Sequence, residues 1–116
     1  MQRSVIVIDD DEDTVRLFSE FLEEKGIKVV GSGYDGVTAI KLYKEKIPDV
    51  VLIDMMMPNG SGFYAIKKIQ EINSKAKIIA VSGDSSYSTE EKLGKLDIPL
   101  IQKPFKMEQI LSVINA

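Results

Sequence analysis

Short apolar runs alternate with longer stretches of helical period along the whole chain. The runs fall at residues 5–8, 27–30, 50–53, 78–81 and 100–101, the second of them broken by Lys28. Those at 5–8, 50–53 and 78–81 are continuously apolar and rich in Val and Ile, the pattern of strands covered on both faces. Lys28 in the second run, with Pro99 before the fifth and Gln102 after it, suits strands at the edges of a sheet.

Between the runs, helical faces are marked by Val15, Phe18, Phe21 and Leu22, by Val37, Ile40 and Tyr43, by Ile66, Ile69 and Ile72 or Asn73, and by Met107, Ile110, Leu111 and Ile114. The stretch 86–95 has only Tyr87 and Leu93 as large apolar residues, which predicts a short or mobile helix there with Gly94 as its stop. Gly26 is expected to close the first helix, and Pro48 to separate the second from the strand that follows. Strands alternating with helices in this way predict an α/β fold, a doubly wound five-stranded parallel sheet with right-handed crossovers. With the second and fifth strands at the edges, the order is 2-1-3-4-5, a flavodoxin-like three-layer sandwich whose switch point lies between strands one and three.

Composition narrows what such a sheet can do. At 116 residues and 44% hydrophobic, the chain reads as one domain over residues 1–116. It contains neither cysteine nor histidine, which excludes disulfides, Ser-His and Cys-His couples, the usual zinc sites, and a role as phosphohistidine donor. A net charge of −3 argues against a nucleic-acid footprint, which needs clustered Lys and Arg. No apolar run approaches membrane-spanning length and no long apolar segment opens the chain, so it is read as cytoplasmic, without nucleic-acid or membrane partners.

In open α/β sheets the ligand site lies beyond the carboxyl ends of the strands. There the sequence places Asp9 and Asp10 after strand one, Asp54 after strand three, Ser82 after strand four, and Gln102 and Lys103 after strand five. Two carboxylates about 4 Å apart repel by roughly 4 kcal/mol at an effective dielectric near 20, so three of them together need shifted pKa values or a cation. Oxygen ligands without His or Cys favour a hard divalent ion, and few carboxylates with room for water favour magnesium. Such an ion clamps a phosphate for in-line transfer, with Lys103 as a second positive group, the Ser82 hydroxyl as a donor to a phosphoryl oxygen, and one carboxylate left as nucleophile.

Each residue also has a plainer reading. Acids between a strand and a helix serve as N-caps and dipole partners, the favoured role for Asp11, Glu12 and Asp13 and an open one for Asp9 and Asp10. Asp54 could be a turn acid, Ser82 with Gly83 and Asp84 a loop and helix cap, and Lys103 a solvated charge. It is their coincidence at four strand ends that points to chemistry.

The set Val-Ile-Asp9-Asp10, Leu-Ile-Asp54-Met-Met-Met-Pro58 with Gly62, Val-Ser82-Gly and Gln-Lys103-Pro104-Phe105 resembles, in order and spacing, the receiver domain of response regulators, the CheY-like family. The resemblance covers essentially the whole chain and implies a single-domain response regulator in a two-component phosphorelay. It implies Asp54 as phosphoacceptor, Ser82 and Lys103 as contacts of the phosphoryl group, and a cis Lys103–Pro104 bond. Mg2+ would be held by Asp10, Asp54 and the backbone carbonyl of Met56, and by Asp9 through water. A sensor histidine kinase or phosphotransfer protein would supply the phosphoryl group. The downstream partner would be a protein met at the face of the fourth helix, fifth strand and fifth helix, by a monomer or a weak dimer. In this reading the domain catalyses its own aspartyl phosphorylation and dephosphorylation without a dedicated external substrate.

Met56 and Asp84 stand where the family tunes water access to the acyl phosphate. Many relatives carry Tyr or Phe at the position of Leu100 as a switch residue, and the segment 59–62 lacks the acid or amide common before its last glycine. These departures motivate an alternative, a receiver-like binding module that works without phosphorylation. A magnesium-dependent phosphohydrolase on a similar sheet is disfavoured by Met56, where such enzymes commonly carry a second acid.

Overall fold

The structure, a computed structural model, describes residues 3–57, 61–83 and 87–116, with the side chains of residues 61, 87 and 88 also outside the description. Five strands alternate with five helices: β1 (Ser4–Ile8), α1 (Glu12–Glu24), β2 (Lys28–Gly33), α2 (Gly36–Lys46), β3 (Val50–Asp54), α3 (Ser61–Ile72), β4 (Lys77–Ser82), α4 (Tyr87–Lys95), β5 (Leu100–Gln102) and α5 (Met107–Ile114). The strands form one parallel sheet in the order β2-β1-β3-β4-β5, as the edge residues predict.

Because side chains alternate across a strand, the apolar runs feed two separate cores. Ile6, Ile8, Val51, Ile53, Ile78 and Ala80 point to the side covered by α2, α3 and α4. Val5, Val7, Val50, Leu52, Ile79 and Val81 point to the side covered by α1 and α5. Burial on both faces explains why these strands lack the polar alternation of a one-sided sheet.

Helix ends follow the backbone chemistry of their residues. α1 closes as expected at Gly26, whose φ of 83° is in the left-handed region; its N–H donates to Glu23 O at 3.1 Å and Ile27 N–H to Leu22 O at 2.9 Å. The same pair of bonds closes α4, with Ile98 N–H donating to Leu93 O at 3.0 Å and Asp97 N–H to Gly94 O at 3.1 Å. Here the left-handed residue is Asp97, at φ 61°, rather than Gly94. Gly94 lies inside the helix, so it is not the stop; a short polar side chain serves that position too.

Two other expectations are corrected, and one open alternative is resolved. Val37 is 69% exposed, while the expected Ile40 and Tyr43 do pack against the core; the rest of the buried face is supplied by the small residues Gly36 and Ala39, and Val37 lies outside it. Of the two candidates that close the α3 face, Ile72 is exposed and Asn73 is tied in, its side chain donating to Tyr43 Oη at 3.1 Å. β2 runs on past Val30 to Gly33 although 31–33 hold no large apolar residue, since small residues are what the packing admits there. A Cβ on Gly33 would stand 2.5 Å from Thr38 Cγ2, and one on Gly31 would stand 3.0 Å from Leu42 Cδ2.

Candidate functional site

The carboxyl ends of β1, β3, β4 and β5 meet on one rim, and the chain places its acids there by backbone bonds. Asp9 N–H donates to Gly33 O at 3.1 Å, which extends the β1–β2 pairing by one residue and fixes Asp9 beyond the strand. Asp11 N–H then donates to Asp9 Oδ1 at 2.9 Å, while Asp11, the residue just before α1, accepts from the Thr14 hydroxyl at 2.6 Å. Asp11 thus takes the N-cap position, with no side-chain bond to the helix backbone, and Asp9 and Asp10 are left to the rim.

Asp54 is the last residue of β3, and its Oδ1 accepts from Met56 N–H at 2.9 Å. Met55 N–H donates to Val81 O at 2.8 Å, so the chain leaves the strand still tied to β4. α3 approaches this corner through Gly62, where a Cβ would lie 3.2 Å from the carbonyl oxygen of Asp54 and 3.2 Å from Met55 Sδ. Any larger residue would press on the backbone of the acid by a few tenths of an ångström, so glycine eases the approach of the helix, a role that its place in the motif did not reveal.

Asp9, Asp54 and Ser82 are buried, whereas Asp10 is exposed. One carboxylate oxygen from each of Asp9, Asp10 and Asp54 lies within 4.8 Å of the others. Lys103 reaches across from β5, its Nζ 3.8 Å from Asp54 Oδ2 and 4.0 Å from Asp9 Oδ2. Its own N–H donates to Ser82 O at 2.9 Å, and the Lys103–Pro104 peptide bond is cis. The residues singled out at the four strand ends are thus brought together.

Burial and like charge act together on these acids. Burial pushes the Asp9 carboxyl up to about 6; the Asp54 and Asp10 charges push the same way, against the Asp11 N–H and Lys103. Asp9 Oδ2 is buried with no hydrogen-bond partner among the described residues. A buried acceptor in that state is costly, and a hard cation among three carboxylates would satisfy it. The donor set fits magnesium: carboxylate oxygens only, one of them exposed to admit water.

Met56 is 56% exposed at the mouth, while Met55 and Met57 are buried in the α2–α3–α4 core, so the three consecutive methionines divide between lining and packing. Leu100 is half-buried against the same core. Gln102 donates to Glu90 Oε1 at 2.9 Å, a β5–α4 bond that the sparse apolar pattern of α4 gave no means to foresee. Asp84, Pro58 and residues 59–60 lie outside the described residues.

Residues 5–115 match the family described as the response regulator receiver domain. The chain belongs to that family. It is 32% identical to the chemotaxis protein CheY of Bacillus subtilis, over 99% of this chain and 97% of the relative. To the CheY of Thermotoga maritima it is 33% identical, again over 99% and 97%. The receiver domain of the Francisella response regulator 1452 has the same fold, with a TM-score of 0.88 at 27% identity over 98% of this chain and 94% of that one. A chain in the CheX-CheY-BeF3-Mg complex from Borrelia burgdorferi matches with a TM-score of 0.89 at 23% identity, over 97% of this chain and 86% of that one. Receiver domains work in two-component signalling, where they are phosphorylated and bind magnesium at an acidic pocket. In this receiver domain Asp9, Asp10 and Asp54 form an acidic cluster. No helix among the described residues is long and apolar enough to cross a membrane.

Proposed function

We propose that residues 1–116 act as one receiver unit in the cytoplasm and that Asp54 accepts a phosphoryl group from the phosphohistidine of a sensor kinase or phosphotransfer protein. The observation that carries this reading is the convergence of three carboxylate oxygens within 4.8 Å beside the Lys103 ammonium. An Asp54 carboxylate oxygen attacks phosphorus, the P–O bond forms as the P–N bond breaks, and the imidazole leaves with a proton. Lys103, already 3.8 Å from Asp54 Oδ2, offsets the charge that gathers on the phosphoryl oxygens, and the Ser82 hydroxyl donates to one of them. Magnesium, held by Asp10, Asp54 and the Met56 carbonyl and by Asp9 through water, would neutralise the same oxygens. Hydrolysis of the acyl phosphate returns the carboxylate, with Met56 and Asp84 governing how water reaches it.

Output passes to a protein partner at the α4–β5–α5 face, where Leu93, Ile98, Leu100, Pro104 and Val113 line a cavity of about 720 Å³. The domain works there as a monomer or weak dimer, and within that face the Gln102–Glu90 bond ties α4 to the end of β5, next to Lys103. Treatment with a small phosphodonor and magnesium should add one phosphoryl mass to the protein and none to Asp54→Asn, and label that persists in the variant would refute the assignment. Leu100, half-buried where relatives carry an aromatic switch, supports a second reading, a binding module indifferent to phosphorylation. Beryllofluoride with magnesium separates the two, since it should shift α4 and β5 amide resonances only in the first.

A further inference from the structure

A second opening lies on the other side of α4, between it and α3. It encloses about 290 Å³ and is lined by Phe63 and Lys67 of α3 and by Lys92, Lys95 and Leu96 at the end of α4. Its apolar wall is part of the core boundary, since Phe63 and Leu96 both pack against the buried α2–α3–α4 cluster. The spacing of the two helices is fixed at one end, where Gln70 Nε2 donates to Leu96 O at 3.2 Å. The cavity is thus held open by packing and by a hydrogen bond.

Its charge runs against that of the whole molecule. The chain has a net charge of −3, yet every charged residue that lines this cavity is a lysine. Lys95 is offset by Glu91 at 3.1 Å. Lys67 and Lys92 pair with no carboxylate among the described residues, and Lys92 stands 5.4 Å from the centroid of the Phe63 ring. An apolar recess faced by two unpaired ammonium groups suits a ligand with one bulky apolar group between negative charges. The volume sits at the lower limit for a drug-sized molecule and matches a single large side chain.

We infer that the α3–α4 cavity is a docking site for an acidic segment of a partner protein, which seats one bulky apolar side chain against Phe63 and Leu96 and pairs its carboxylates with Lys67 and Lys92. This surface lies on the opposite side of α4 from the α4–β5–α5 face, and none of its lining residues belongs to the Asp54 site, so docking there does not require Asp54 to be phosphorylated.

The probe is a short blocked peptide with a central phenylalanine flanked by glutamates, titrated into the full chain at low salt and followed by amide resonances and fluorescence anisotropy. Shifts should centre on Phe63, Lys67, Lys92 and Leu96, and should be the same in Asp54→Asn. The exposed double charge reversal Lys67→Glu with Lys92→Glu should weaken binding by about tenfold or more, with an unchanged circular dichroism spectrum. Replacing the central phenylalanine by alanine should weaken it comparably. Affinity indifferent to the charge reversal, or shifts centred on another cavity, would overturn the inference. So would shifts in the same residues that grow with the domain's own concentration in the absence of peptide, which would assign the surface to a second copy of the chain.

Discussion

At the amino ends of β1 and β3, Asp49 accepts from Ser4 N–H at 2.8 Å and from Ser4 Oγ at 3.1 Å, and its own N–H donates to Ser4 Oγ at 2.9 Å. At the carboxyl ends of the same two strands, Asp9 Oδ2 is buried and unbonded among the described residues, with Lys103 no nearer than 4.0 Å. The two aspartates titrate in opposite directions: hydrogen bonds from Ser4 hold Asp49 below the usual carboxylate range, and burial lifts Asp9 to about 6. Lys77 likewise completes the quiet end, donating to the carbonyls of Ile114 at 3.0 Å and Ala116 at 2.8 Å. One end of the sheet satisfies its polar groups from within the chain, and the other holds them in readiness for something outside it.

The sharpest way to break this contrast is to remove a carboxylate from the unsatisfied end. Asp10→Ala should weaken magnesium uptake, measured by titration calorimetry, by more than about tenfold, since a lost ligand costs at least as much as a lost supporting contact. Magnesium affinity equal to that of the unchanged chain would remove Asp10 from the ion's ligands.

Next in size is Asp9→Asn, which deletes a buried charge and should stabilise the metal-free domain at pH 8 by an amount on the order of 2 kcal/mol in urea unfolding. The sign follows from linkage: the folded carboxyl keeps its proton to about 6 while an unfolded one releases it near 3.8. Metal-free stability should therefore fall as pH rises across that window and level off above it. Asp11, Asp35 and Asp49 are held below the ordinary value, so their contributions are present above it and vanish only as pH falls further. A flat profile between pH 4 and 6, with the same profile in Asp9→Asn, would contradict this account.

Asp49→Ala should cost about 1 kcal/mol by the same unfolding assay and leave magnesium affinity unchanged, because its bonds are neutral-partner bonds at an exposed position. Val37→Ser, on a helix face the structure leaves in solvent, should change stability by less than about 0.5 kcal/mol. A larger loss there would mean that Val37 is covered.

How far the sequence carried depended on whether a residue's neighbours in the chain also decide its neighbours in space. Val5, Val51 and Ile79 sit in runs whose composition already implies burial on both faces, so the sheet and its order were legible. Asp10, Asp54, Ser82 and Lys103 were legible for a related reason: in a parallel sheet the position after a strand fixes which rim a residue occupies. Val37 was misplaced because the packed face of α2 is completed by Gly36 and Ala39, small residues that leave no apolar signal in the spacing. The extension of β2 through Gly31 and Gly33 left no apolar signal, because its requirement is for missing volume. Gly62 and the Gln102–Glu90 bond depend on how α3 and α4 dock, which no local pattern encodes.

Gly33 ties an edge strand to the reactive rim. Its carbonyl holds the main chain of Asp9, and its bare α-carbon is the ground on which Thr38 and the start of α2 rest. A methyl group added there would collide with the Thr38 side chain, which must move or carry the start of α2 with it, beside the strand end that holds Asp9. A position that carries no chemistry of its own thereby helps set where one acid of the cluster stands, and substitution at residue 33 should be poorly tolerated.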